Sequence, residues 1–335
     1  MNRPIKIFLL LIILATLIYW AMSSKLWSNI KSDGKDFAVA DTASVTKLFL
    51  ANKRSQQVTL EKNEAGIWMV NREVVADIQK INLIKATLHD LKVRNPLSES
   101  EFNTVVSRLA SDAVKTEVYA GKKLIKTVYI GQATAEGTGT YMMLENASTP
   151  YVIHIPGFIG YLSPRFSANP IKWKDKRIFN FKAEEIHSIQ VNYPTNPVLS
   201  FKVTNGTVPE VFDINEKPVM ADLNFVKYYL ASFHQLSIEA YDEDIPQVQV
   251  DSIRNTTPFC IVTLTTKQNT SRKLTVHLKG IDKRTKERYN EEGKELEYDY
   301  DKYFGFVDNE KEVVYVQQYN FGRVFKTIHD FKTQP

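Results

Sequence analysis

A chain of 335 residues is long enough for one large domain or two of ordinary size. Its hydrophobic fraction of 43% and aromatic fraction of 11% can support a true core, which excludes wholesale disorder. The net charge of +5 is spread along the chain, not gathered into the basic, aromatic-interleaved stripe of a nucleic-acid binder, and the lone cysteine, Cys260, allows no internal disulfide.

Residues 1–6 form a short basic start with Arg3 and Lys6, read as cytoplasmic. Ile7 to Met22 follows as an uncharged, almost wholly apolar run. Peptide groups in a bilayer must bond internally, so such a run is expected to be a transmembrane helix. It is slightly shorter than the usual span of about 20 residues, but Lys6 can snorkel, and Tyr19 and Trp20 suit the far interface. The competing reading is a cleavable signal with Ala21-Met22-Ser23 as its small-x-small site. Bulky Tyr19 and Trp20 crowd that site, and the apolar core exceeds the usual signal length, so an anchor is expected. Lys25, Lys31 and Lys35 weaken the positive-inside count, but either export reading sends the large domain across the membrane. Residues 23–36 read as a polar tether.

From Phe37 onward the chain is written twice, as residues 37–162 and 178–327 joined by a connection at 163–177, with 328–335 as a tail. Both halves open on a Phe (Phe37, Phe181) and alternate apolar positions: Val45, Leu48 and Leu50 in one, Ile186, Ile189 and Val191 in the other. The pattern sharpens at REVVADIQKINLIKATLHDL and KPVMADLNFVKYYLASFHQL. In each, an Ala-Asp pair (Ala76-Asp77, Ala221-Asp222) opens a helical period, with the Asp as N-cap. One stripe is Ile78, Ile81, Ile84, Leu88 and Leu91; the other is Leu223, Val226, Leu230, Phe233 and Leu236. His89 and His234 take matching places and read as exposed helix-face residues.

Ser98 to Ser111 opens on a capping-box-like Ser98-Glu99-Ser100-Glu101 and predicts a second helix in the first half. Leu124 to Ala133 parallels Lys273 to Asp282 as an alternating strand closed by a glycine. Thr140 to Phe158 parallels Lys302 to Phe321 as a hairpin with a polar turn. Gly131 to Gly139 and Lys279 to Glu295 read as loop insertions, and Trp173 as a packing residue against one half. The expected fold class is α+β: an internal duplication of a mixed strand-helix-strand module behind one N-terminal transmembrane helix.

No residue pattern nominates a catalytic, cofactor-binding or metal site. A nucleophile elbow, a phosphate loop and a dinucleotide fingerprint are all absent, and Gly137-Thr138-Gly139 lacks the third glycine. Six dispersed histidines (His89, His154, His187, His234, His277, His329) show no metal-ligand spacing. Glu297, Asp299 and Asp301 alternate in ELEYDYDKY, as a calcium or acid-base set would, but no turn glycine lies among them. They read as a solvated strand face, and Lys279 to Arg288 as a mixed-charge hairpin tip.

The apolar N-terminal helix, Gly66-Ile67-Trp68, Ala76-Asp77, Val128-Tyr129-Ile130-Gly131 and Trp173-Lys174-Asp175-Lys176-Arg177-Ile178-Phe179 together resemble the bacterial "domain of unknown function 4340" family. The resemblance covers most of the chain from about Phe37 to about Phe233. It implies a membrane-anchored envelope protein, found beside a membrane component of an ABC-type transporter, and it carries no catalytic residues or cofactor. The expected function is therefore a binding or scaffold module, single-pass in the inner membrane with its large domain periplasmic. Its partners would be lipid, through the N-terminal helix, and an envelope membrane protein. The rivals are a glycan-hydrolase-like envelope enzyme, whose carboxylates meet only in the fold, and a solute-binding component.

Overall fold

A computed structural model of the chain describes residues 34–308 and 311–332. The start at 1–6, the anchor expected at Ile7 to Met22 and the tether as far as residue 33 lie outside the described residues. Among those described, no helix is long and apolar enough to cross a membrane. The chain divides into two compact units, the first ending at Lys174 and the second starting at Asp175.

The first unit runs β1 (Lys47–Ala51), β2 (Gln57–Lys62), β3 (Trp68–Val70), β4 (Val74–Val75), α1 (Ile78–Asp90), β5 (Lys92–Pro96), α2 (Glu99–Asp112), β6 (Val114–Ala120), β7 (Lys123–Ala133), β8 (Thr140–Leu144) and β9 (Tyr151–His154). These strands make one nine-stranded sheet in the order β4-β3-β2-β1-β6-β7-β8-β9-β5. Its pairings are antiparallel, and β5 reaches across to close on β9. Strand side chains alternate between faces. On β9, Ile153 enters the large core with α1 while Val152 enters a smaller cluster with α2, so the two helices cover opposite faces.

The α1 N-cap is as expected: Asp77 Oδ1 accepts from the Gln79 and Lys80 amides at 3.0 and 3.4 Å. These bonds satisfy donors that a helix start leaves open. Ile81, Ile84, Leu88 and Leu91 are buried, but Ile78, assigned to the same stripe, stays exposed. At α2, the Ser98 hydroxyl donates to Glu101 Oε2 at 2.6 Å instead of accepting an amide proton, so the side-chain cap bond expected of Ser98 is absent.

The second unit adds β10 (Arg177–Phe179), β11 (Ile186–Asn192), β12 (Phe201–Asn205), β13 (Pro209–Asp213), β14 (Pro218–Val219), α3 (Leu223–Ala231), β15 (Leu236–Ser237), β16 (Ala240–Tyr241), α4 (Gln247–Asn255), β17 (Cys260–Thr266), β18 (Ser271–Gly280), β19 (Tyr298–Val307), β20 (Val314–Gln317), α5 (Gln318–Phe321) and α6 (Ile328–Phe331). Its large sheet has the order β14-β13-β12-β11-β17-β18-β19-β20-β16, which matches the first sheet position for position. A small ladder of β10 and β15 stands apart from it. Asp222 caps α3 through the Asn224 amide at 2.8 Å.

Three expectations need correction here. The helix from Asp222 stops at Ala231, so Phe233 and Leu236, though buried, lie beyond it, and His234 is an exposed turn residue. Ser232 bonds back to the Tyr228 carbonyl at 2.9 Å, and Gln235 takes a left-handed φ of 51°, which no helix continues through. Leu223, like Ile78, is exposed at the head of its stripe. Finally, the described part of the expected tail is α6, with Ile328 and Phe331 inside the core.

Each unit is closed in the same manner. In the first, a single turn at Pro170–Trp173 brings the Trp173 carbonyl to the Asp77 amide at 2.7 Å, and Ala76 bridges Lys174. In the second, the Phe331 carbonyl accepts from the Asp222 amide at 3.3 Å, and Ala221 bridges Lys332. Trp173 and Phe331 are both buried. The stretch expected as a connection is thus divided: Phe166 and Trp173 fill the first core, while Arg177 begins β10 of the second unit.

Candidate functional site

The acidic run at 295–303 does not form a shared strand face. Asp299 is 4% exposed, whereas Glu297 and Asp301 are open to solvent. The β18–β19 register slips between Leu278↔Tyr303 and Gly280↔Tyr298, and the bulged strand turns Asp299 inward. Its Oδ1 accepts from the amides of Asp301 and Lys302 at 3.0 and 3.2 Å. Its Oδ2 accepts from Lys279 Nζ at 3.2 Å and the Thr285 hydroxyl at 3.0 Å. Lys279, itself 3% exposed, also pairs with Asp282 at 2.9 Å. Burial pushes the Asp282 carboxyl up, but hydrogen bonds from Lys279 and the Arg284 amide outweigh it and hold the group below its usual range. Every polar atom of this cluster that the bulge buries is answered, so its role is to fasten the loop after β18.

The other chemistry-bearing side chains stay apart. His89, His187, His234 and His329 are exposed, and His154 is half-buried. His277 is buried on β18, with Nδ1 2.8 Å from the Thr256 hydroxyl. Burial pushes the Cys260 thiol far up, so it stays protonated and inert. Among the described residues, no three His, Cys, Asp or Glu side chains come together as a metal cage. Gly139, from the Gly-Thr-Gly stretch, serves packing: a Cβ there would lie 2.6 Å from Val152 Cγ1.

A shallow, open concavity of about 350 Å³ lies beside α4, with Asp242, Gln249, Asp282, Arg284, Phe304 and Tyr315 in its wall. The Tyr315 hydroxyl donates to Asp242 Oδ2 at 2.5 Å. Burial first, and that carboxylate second, push the phenol well above its ordinary value, so it remains a donor. No local pattern joins these wall residues, because they converge from the segment after β16, α4, the loop after β18, β19 and β20.

A second feature recurs in both units. Val75 and Ile78 flank Ala76-Asp77 and are 45% and 41% exposed; Met220 and Leu223 flank Ala221-Asp222 and are 83% and 45% exposed. These four apolar side chains thus stay in contact with solvent at matching places of the two units.

The Trp173 to Phe179 stretch is a joint on each side of the unit boundary. Trp173 Nε1 donates to the Ser167 carbonyl at 2.8 Å in the first unit. In the second, Arg177 forks onto Asp175, with Nη2–Oδ2 at 2.6 Å, and the Tyr241 hydroxyl donates to the Asp175 carbonyl at 3.0 Å. Lys176 Nζ reaches the Glu239 carbonyl at 2.7 Å. Compared with known families, the chain matches the one described as Domain of unknown function (DUF4340) over residues 68–252. The chain belongs to this family. No curated protein and no solved structure matches it. In this DUF4340 protein the matched stretch begins in β3 and ends in α4, so it takes in the Ala-Asp helix starts and the Trp173 to Phe179 joint of both units. The resemblance seen in the sequence thus rests on structural joints.

Proposed function

We propose that this DUF4340 protein is a membrane-anchored, extracytoplasmic contact module built from two copies of one α+β unit. The anchor is the Ile7 to Met22 run, and the partner is an envelope membrane protein of the ABC-transporter type implied by the family resemblance. The duplication is supported by the matching strand orders, the paired Asp N-caps and the common closing bridge onto Ala76 and Ala221. An experimental structure in which α1 and α3 superpose with their sheets would agree with it; unrelated helix positions would not.

The observation that carries the contact reading is the repeated exposure of Val75 with Ile78 and of Met220 with Leu223. Apolar side chains left out at the same fold position twice are suited to desolvation by a partner. The test is purification of the full chain from mild detergent, native against a Val75→Asp/Met220→Asp variant. The native chain should bring a transporter-type membrane subunit, and the variant about tenfold less, equivalent to roughly 1.4 kcal/mol. Undiminished recovery with the variant would contradict the reading. A second reading, a solute-binding component, is favoured by the cleft beside Phe304 and Tyr315, whose volume of about 350 Å³ falls within the small-ligand range.

A further inference from the structure

The place where the chain enters the first unit is fixed. A Cβ at Gly34 would lie 3.3 Å from Ala147 Cβ and 4.0 Å from the Tyr151 ring, so the backbone there rests on the β8–β9 hairpin. Phe37 is 1% exposed and meets Tyr151 edge-on at 6.1 Å between ring centres. Lys126 on β7 holds the strap from the other side: its ammonium donates to the Asp36 carbonyl at 2.6 Å and to the Ala38 carbonyl, and pairs with the Asp36 carboxylate at 3.2 Å. The strap cannot slide to another face without breaking these bonds.

This entry point lies at one end of the sheet. Glu145 donates its amide to the Thr127 carbonyl, which sets the β8–β9 turn level with the part of β7 that bears Lys126. At about 3.4 Å per residue, Lys123 lies about 10 Å further toward that same end. There the β6–β7 turn, with Gly121 at φ 58°, presents Lys122, Lys123 and Leu124 to solvent. Nearby carboxylates are partly answered: Glu145 faces Lys115 at 3.5 Å and Asp41 caps the Ala43 and Ser44 amides, leaving Glu64 in the β2–β3 turn exposed. Only residues 23–33 separate the apolar run from Gly34. A chain of that length reaches at most about 40 Å. It carries Lys25 and Lys31, with Lys35 just past Gly34.

We infer that the β6–β7 turn is a membrane-surface contact, with Lys122 and Lys123 on anionic phospholipid headgroups and Leu124 entering the interface. The inference rests on the anchor reading of Ile7 to Met22. It gives the anchored module a set orientation, with this end of the first sheet toward the bilayer and the β1–β2 turn, which bears Lys53, at the far end. A basic side chain near an anionic surface strengthens docking by about fivefold, and screening by salt removes much of that gain.

The test uses the full chain in vesicles of phosphatidylcholine with or without phosphatidylglycerol. A fluorophore is placed on Lys123→Cys or on Lys53→Cys; Cys260 is buried and stays unlabelled. Flotation of the vesicles reads the anchor separately from quenching by headgroup nitroxides. The expected result is flotation of both chains, strong quenching at position 123 in anionic vesicles and little at position 53. Adding Lys122→Gln should weaken the docked population about fivefold, and neutral vesicles should weaken it further. Flotation with equal quenching at the two positions would overturn the surface contact and leave the anchor standing. Failure to float would remove the anchor, and the surface contact with it.

Discussion

His277 is the residue through which acid should reach the second unit. It sits on β18, 2% exposed, against Phe306 at 5.5 Å and the Thr256 hydroxyl. Burial foremost, and the nearby Arg254 guanidinium second, push its pKa below the ordinary 6.5. The folded state therefore binds the proton less readily than the unfolded one, and stability falls as pH drops below the unfolded value of 6.5. Above that value the imidazole is neutral in both states and contributes no slope. His277→Gln should flatten the pH dependence of the urea midpoint between about pH 6.5 and 5. An unchanged slope would mean the ring is not the group that titrates. At this scale, what could be read in advance depended on how local the partner is. Asp77 and Asp222 were legible as caps because their amide donors lie two and three residues on. Asp299 was not, because its partners Lys279 and Thr285 come from across a bulged register that strand alternation does not encode.

The closing segments are the elements with the most at stake. Neither showed a period in the sequence, since Leu162, Phe166 and Trp173 sit on single turns and α6 is only four residues long. Yet each supplies a large aromatic side chain to a core and a carbonyl to the helix-capping Asp amide. Trp173→Ala and Phe331→Ala should each cost about 3–5 kcal/mol, because the cavity left at 3% or 0% exposure cannot refill. Chemical denaturation reads this directly; a loss under about 1 kcal/mol would return residues 328–332 to the status of a tail. Hairpins were the easier elements. β8–β9 and β19–β20 follow from alternating runs separated by polar turns. α4 escaped notice because only Val250 and Ile253 turn inward while Val248 is 82% exposed, which is too few to mark a stripe.

At the scale of the whole molecule, the two large sheets share one strand order, and the same short motifs recur at matching places along the chain. The parallel between the two halves was legible because each has an Ala-Asp helix start, whose capping chemistry admits few alternatives. The return of β5 to β9 and of β16 to β20 was not, since edge strands of five and two residues carry little pattern of their own. In the proposed function these units are held at the membrane by the apolar run at Ile7 to Met22. A contact module held in a plane beside its partner works with a weak interface, because confinement raises the effective concentration. All of this depends on the chain being an integral membrane protein. The direct measurement is extraction of isolated membranes with alkaline carbonate and high salt, followed by detection of the intact chain in pellet and supernatant. Burial of an apolar helix is not undone by screening charge, so the full-length chain should remain in the pellet. Recovery in the supernatant of a chain beginning after Ser23 would contradict the account.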